Sequence, residues 1–238
     1  MSAMETDFRV PLLHRISNIV SSNRSLEEML GEIIGLTVQV TNCDACLVYL
    51  IDPEAAELVL RASQVPHAAD LGAVRLKVGE GVTGWVAEHK SVVALSSNAA
   101  ADPRFKRFQA LVEDTYDAFL SVPLVSGGEV VGIVNVHHRE SHEHTPDEIA
   151  LLNFVGEQMG MAVEKARLAE QTAAIRRQLE ERKLVERAKG ILQSRHNITE
   201  EEAYFRLRNQ SRRLRRPMRD LAEAIILSDD LGREPADV

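Results

Sequence analysis

Cysteine is nearly absent: Cys43 and Cys46, spaced C-x-x-C, are the only two in 238 residues. One such pair, with no second pair and no nearby histidine, is a weak basis for a zinc or redox centre. It abuts the apolar run Leu47-Val48-Tyr49-Leu50-Ile51, so the thiols are expected to be inert and partly buried. No run of about 18 apolar residues occurs, which argues against a membrane-spanning helix. The N-terminal MSAMETDFRV lacks a basic stretch followed by an apolar one, so no signal peptide is indicated. Nor is there a G-x-S-x-G elbow or a pair of catalytic residues, and the chain is read as a non-enzyme. A soluble cytoplasmic protein is the expectation, and 45% hydrophobic composition supplies it with a core.

What is present is a sharp division of charge. The whole chain carries −8, yet Thr172 to Asp220 holds 14 Lys and Arg against 7 Asp and Glu, a local +7 that leaves −15 on the remainder. Such a division directs attention to a polyanion at the C-terminal end.

In chain order, Phe8, Leu12, Leu13, Ile16, Ile19 and Val20 recur near a 3.6 period and predict an amphipathic helix. Ser25 with Glu28 forms a capping box for a second helix carrying Leu26, Met29, Leu30, Ile33, Ile34 and Val38. Short β-type runs follow at Ala45–Ile51, Leu58–Ala62, Val74–Val78 and Val92–Leu95. Ala118–Val125 and Glu129–His138 form the clearest hairpin, with Ser126-Gly127-Gly128 at its tip. Its second run places Val130, Gly132, Val134 and Val136 on one side and Val131 and Ile133 on the other, as a strand covered on both faces requires. From Thr145 as cap, Pro146 at the first position and Glu148 at the third, a long helix begins. Leu152, Val155, Met159, Ala162, Ala166, Ala169 and Ala173 step by three and four, a coiled-coil spacing that shifts phase at Ile175 and Leu179. Gly156, Gly160 and Gly190 are its weak points. A helix of this length is read as a dimer connector; packing back on its own domain explains the first turns alone. The fold class is α+β: an antiparallel sheet with flanking helices, then a long coiled-coil helix leading into an all-α three-helix bundle.

Gly79-x-Gly81-x-x-Gly84 matches a dinucleotide-binding pattern in form, but it follows a short strand in an antiparallel setting and lacks a Lys-Ser/Thr. A structural turn is the reading. His137, His138, His142 and His144 crowd a strand end and the loop after it, but neighbouring strand residues point to opposite faces. They are expected to be solvent-exposed, with no metal site.

The residues G-E-G-V-T-G-W-V-A-E-H-K from Gly79, D-P-R-F from Asp102, S-V-P-L-V-S-G-G-E-V-V-G-I-V-N-V from Ser121 and H-T-P-D-E-I-A-L-L from His144 together resemble GAF sensory domains. The resemblance covers about Ser25 to Leu168. It implies a six-stranded sheet with helices on one face and a ligand-capable pocket on the other. The cofactor is left open; a small-molecule effector in this domain is what the resemblance implies. Trp85, Phe105, Phe108, Tyr116 and Phe119 lie in segments that would cap the sheet and line the pocket, although ordinary core packing also explains them. The N-K-F-D-E motif of cyclic-nucleotide binders and the thioether cysteine of bilin binders are missing.

RKLVERAKGIL from Arg182, EEAY from Glu201, Leu207-Arg208 and LAEAII from Leu221 closely resemble an ANTAR domain. Departures are Gln193, where that family usually has Met, and Ser211, often Ala. The resemblance implies a three-helix bundle that binds RNA and promotes transcription antitermination, on paired stem-loops engaged by a dimer. Leu184, Val185, Ala188, Ile191 and Leu192 form one apolar stripe, and His196-Asn197-Ile198 is a turn. Thr199 with Glu202 makes another capping box; Ala203, one of Tyr204 and Phe205, and Leu207 pack next; after Pro217, Leu221, Ala224 and Ile225 face inward. The candidate RNA-binding residues are Arg182, Lys183, Arg187, Lys189, Arg208, Arg212, Arg213 and Arg219, which would neutralise phosphates, and Tyr204, which would stack on an unpaired base. Core packing is the plain alternative for Tyr204, and a solvated helical face for the arginines.

The resulting organisation is an N-terminal helix (1–24), a GAF-like sensor (25–168), a connecting coiled coil (146–181, overlapping the last sensor helix), an ANTAR-like module (182–230) and an acidic tail (231–238). The expected function is a signal-responsive antitermination regulator, homodimeric through the long helix and contacting no membrane. The alternative is a ligand-sensing module whose C-terminal helices bind DNA or a protein partner.

Overall fold

The computed structural model describes residues 3–22, 24–64, 72–105 and 116–233. The chain divides into two compact units, Met1–Arg167 and Leu168–Val238.

The first unit is built on a six-stranded sheet in the order β3-β2-β1-β6-β5-β4, from β1 (Ala45–Asp52), β2 (Glu57–Gln64), β3 (Arg75–Lys77), β4 (Val93–Leu95), β5 (Ala118–Ser126) and β6 (Glu129–His138). Each of these pairings is antiparallel. On one face lie α1 (Ala3–Ser21), α2 (Leu26–Thr41) and the start of α4 (Pro146–His196), with Ile16, Leu30, Ile33, Leu152 and Met159 packed against Val48, Leu120, Val134 and Val136. On the other lie α3 (Gly81–His89) and the connecting segments, over Leu47, Tyr49, Leu58, Leu60 and Ile133. Ser25 and Glu28 close the expected capping box on α2. Cys43 and Cys46 are both free and buried, and burial raises both thiol pKa values, which keeps them protonated and inert near neutrality.

The hairpin forms with Gly127 and Gly128 at φ 57° and 84°, the positive values a tight tip requires. Its side-chain alternation departs from expectation. The register slips between Leu124 and Val125, so that Val131 is passed over. The bulge sends Val131 to the face of Val134 and Val136, while Val130 packs with Ile133 on the other. Strict alternation fails here because one extra residue reverses every assignment beyond it.

The glycine turn is structural. Gly79 donates its N–H to the Gly84 carbonyl at 2.9 Å, and a Cβ on Gly84 would lie 2.5 Å from the Lys77 carbonyl oxygen. The motif lets α3 begin against the end of β3, where a side chain would not fit.

In the second unit the end of α4 packs with α6 (Met218–Arg233) around Ala188, Ile191, Ala222 and Ile226, and α5 (Glu200–Leu214) buries Ala203 and Leu207. Thr199 and Glu202 form the expected capping box on α5. The inward face of α6 is centred elsewhere than expected: Ala222, Ile226 and Asp229 are buried, Ile225 packs half-buried against the same cluster as expected, Leu221 is half-buried, and Ala224 is exposed. Asp229 goes inside because Arg195 of α4 reaches it at 2.8 Å. Residues 234–238 of the expected acidic tail, and the side chain of Phe8, lie outside the described residues.

Candidate nucleic-acid interface

The geometry of α5 sets the character of the second unit. Ala203 and Leu207, four apart, are buried and fix which side of the helix faces the bundle. Away from that side, Tyr204, Arg208 and Arg212 succeed one another at intervals of four and form one ridge. Phe205, Asn209 and Arg213 form the next. Neither aromatic joins the core: Tyr204 is 39% and Phe205 45% exposed, and their rings meet edge-on at 6.1 Å. Phe205 was not among the candidates, because two adjacent aromatics on a helix look interchangeable until the buried side is known.

The nine candidates fall into two groups. Arg182, Arg208, Arg212 and Arg213 have no carboxylate within ion-pair distance among the described residues, and Tyr204 stands beside Arg208 one turn on. The rest are engaged. Lys183 pairs with Glu180 at 2.9 Å, Arg187 with Asp230 at 2.7 Å and Arg219 with Glu223 at 2.8 Å, all between exposed side chains. Such surface pairs are weak and exchange readily for a phosphate.

Lys189 departs furthest from expectation. It is buried rather than on an outer basic face, and its Nζ bridges Glu186 at 2.8 Å and Glu200 at 2.7 Å. These two hydrogen bonds raise its pKa, and the same contact lowers that of Glu200. Lys189 ties the end of α4 to the start of α5. It is a strut of the bundle, invisible to a reading that counted basic residues by type alone.

The acids of α5 crowd its first turn, and two are occupied: Glu200 by Lys189, and Glu202 by the Thr199 backbone N–H at 2.9 Å. That backbone bond, then the Thr199 hydroxyl, lowers the Glu202 pKa. The carboxylate half of the cap is therefore fully present above the ordinary glutamate range and is lost as pH falls through its depressed value. A Thr199→Ala variant is expected to cost about 1 kcal/mol, read from urea denaturation followed by helical circular dichroism. Towards the other end of α5 positive charge is unrelieved, through Arg212, Arg213 and the left-handed cap Arg215 at φ 51°. Beside it a groove of about 540 Å³ is lined by Leu192, Arg206, Leu207, Leu214, Leu221 and Ile225 among others.

In the sensor unit three of the five candidate pocket residues come together. Phe119 is buried, and Trp85 and Phe105 pack against the same cluster. Phe108 lies outside the described residues, and Tyr116 reaches the group through His137, whose ring lies 4.7 Å from Tyr116 and 4.5 Å from Phe119. Sequence reasoning missed Arg104, held by Asp102 at 2.7 Å with its guanidinium 4.7 Å above the Trp85 ring. It also missed a buried polar chain in which Ser121 donates to Asn135 at 2.7 Å and Asn135 donates to Thr83 at 2.9 Å.

The histidines also depart from expectation. His137 and His138 do face opposite ways, but His137, His138 and His144 are all buried, and His138, His142 and His144 converge on Glu148. Glu148 accordingly completes only half of a capping box. Its N–H donates to the Thr145 hydroxyl at 3.2 Å, while its carboxylate turns to His142 at 2.9 Å.

Comparison with known proteins identifies both units. A family model described as GAF domain matches residues 23–164, and one described as ANTAR domain matches residues 173–226. The GAF domain of an Acinetobacter phosphoenolpyruvate-protein phosphotransferase is 24% identical with a TM-score of 0.63, over 71% of this chain and 97% of that one. The corresponding Coxiella burnetii domain is 28% identical with a TM-score of 0.64, over 68% and 96%. The free methionine-R-sulfoxide reductase of Neisseria meningitidis, solved with its substrate, shares the fold at 20% identity and a TM-score of 0.57, over 66% and 89%. No curated protein matches the chain.

Proposed function

The chain belongs to the GAF domain family, with an ANTAR domain after it, and from that premise we propose that it is a signal-responsive antitermination regulator that binds RNA hairpins in nascent transcripts. The two domains together support a signal-controlled regulatory protein. The finer reading is carried by one observation: an exposed aromatic pair on α5 stands directly beside arginines with no acidic partner among the described residues. Unpaired bases in a hairpin loop stack on aromatic rings, and phosphates of the stem satisfy guanidinium groups.

In this reading residues 25–168 sense a small molecule on the α3 side of the sheet, 146–181 connect, and 182–230 bind RNA. Arg182, Arg208, Arg212 and Arg213 take phosphates directly; Lys183, Arg187 and Arg219 release surface carboxylates to do so. The connector joins two copies: Leu168, Ile175 and Leu179 recur at seven and four residues and are more than half exposed in the single chain. No helix among the described residues is long and apolar enough to cross a membrane, in keeping with a cytoplasmic regulator. The role is regulatory rather than enzymatic.

Titration of an RNA hairpin at two salt concentrations, with the loop sequence intact and scrambled, tests the reading. Binding is expected to weaken steeply with salt and to depend on the loop. Tyr204→Ala is expected to cost about 1–3 kcal/mol of binding, the contribution of one stacked base. Equal binding to both loops would favour the alternative, a surface for DNA or a protein partner.

A further inference from the structure

We propose that His138, His142, His144 and Glu148 form a binding site for one divalent transition-metal ion of the zinc class in the sensor unit. The four side chains come from three supports: His138 ends β6, His142 and His144 lie in the following loop, and Glu148 stands in the first turn of α4. One donor atom from each lies within 4.8 Å of the others. Around the carboxylate, His142 Nε2 is 2.9 Å from Oε2, His144 Nδ1 is 3.6 Å from Oε1, and His138 Nε2 is 3.9 Å from Oε1. Two ligands of one tetrahedral zinc ion, each about 2.0–2.2 Å from it, are separated by about 3.4 Å, and these distances bracket that value.

Burial makes the arrangement costly without a ligand. The His144 side chain is 1% exposed and that of His138 8%. Both nitrogens of His144, Nε2 of His138 and Oε1 of Glu148 make no hydrogen bond. Each unmet buried polar atom costs about 1–3 kcal/mol, so a protein that gathers four of them is missing the partner that satisfies them. A single cation placed among the donors answers three of these atoms at once, through a lone pair of each imidazole and of the carboxylate.

The surroundings hold the ligands in place. The loop backbone is pinned where Arg139 N–H donates to Asp44 at 2.7 Å and His142 N–H to the Ser96 carbonyl at 2.9 Å. The His138 and His142 rings stack at 3.8 Å and 9°, so His142 has to rotate for its lone pair to converge. Its side chain is 34% exposed, which leaves room for that rotation and makes it the entry side. Three imidazoles and one carboxylate suit Zn²⁺ and its late first-row neighbours rather than Ca²⁺ or Mg²⁺. Four protein ligands fill a tetrahedral shell, the closed form used for structure and signal rather than catalysis. The ion would clamp the β6–α4 loop to the first turn of the helix whose far end belongs to the basic bundle.

The test uses the full chain, stripped with a chelator and titrated calorimetrically with ZnCl2, then with Co²⁺ as a visible reporter of tetrahedral geometry. One Zn²⁺ per chain, a Co²⁺ spectrum of tetrahedral intensity, and a melting temperature raised by roughly 5–10 °C at metal about a hundredfold above Kd are expected. His144→Ala and Glu148→Gln should each weaken binding at least about tenfold and abolish the tetrahedral spectrum. His142→Ala, at a part-exposed loop position, should fold normally and lose affinity, so it decides the matter if the buried variants do not fold. Substoichiometric binding, or a Kd unchanged in His142→Ala, would overturn the site.

Discussion

With Arg208, Arg212 and Arg213 replaced together by alanine, the 238-residue chain is expected to retain its helical content and bind an RNA hairpin roughly 100-fold more weakly. Arg212 and Arg213 are exposed and Arg208 half-buried, and none has a carboxylate partner among the described residues. Removing them therefore leaves no buried charge behind, and alanine is the better helix former. What is lost is counterion release: three fewer neutralised phosphates should reduce the slope of log affinity against log salt by about 2 to 3. Both observables come from the same fluorescence-anisotropy titration. Lys189→Ala is the instructive contrast. That lysine is enclosed by Glu186 and Glu200, so its loss should loosen the junction of α4 and α5 and lower the melting temperature, while affinity in the cold stays close to wild type.

The second large effect concerns the glycines of α4, and here two substitutions of similar kind should act in opposite directions. A Cβ on Gly160 would lie 2.4 Å from the Val125 carbonyl oxygen and 2.7 Å from its carbon. One turn earlier, a Cβ on Gly156 would lie 2.8 Å from the Pro123 carbonyl oxygen. The two glycines are the notch through which α4 approaches the backbone of β5. Because the obstructing atoms are main chain, no rotamer change relieves the contact, and helix and strand must separate. Gly160→Val is therefore expected to destabilise the sensor unit by about 3 kcal/mol, the upper end of the overpacking range, and to lower its melting temperature by roughly 5–10 °C. Gly190 has nothing within 4 Å of its added Cβ. Gly190→Ala should gain nearly the full helix propensity difference of about 1 kcal/mol, seen as a raised urea midpoint for the bundle.

These glycines also show what was legible in the sequence. All three read alike as interruptions of a long helix, since their difference lies in what packs beside them. Local features were legible because they are written within a few residues: the capping boxes at Ser25 and Thr199, the hairpin tip at Gly127-Gly128, the start of α4 after Thr145. Features that depend on a partner distant in the chain were not. Lys189 is a strut because Glu200 comes from another helix; Asp229 is buried because Arg195 reaches it; Glu148 turns from its capping role because three histidines converge on it. The spacing of those histidines and Glu148 was present in the sequence from the outset. Its signal was the position of Glu148 near the start of a capped helix, which aims a carboxylate back over the preceding loop. The aromatic pair on α5 was half legible: one of Tyr204 and Phe205 had to be exposed, and burial of Ala203 and Leu207 exposes both.

Contact between the α5 face and RNA can be read residue by residue through photocrosslinking. A hairpin carrying a photoreactive base in its loop, irradiated with the whole 238-residue chain and mapped by peptide mass spectrometry, should crosslink within Glu200–Leu214, at Tyr204 or Phe205. Crosslinks confined to residues before Leu168, or unchanged in yield when both aromatics are replaced by alanine, would contradict it.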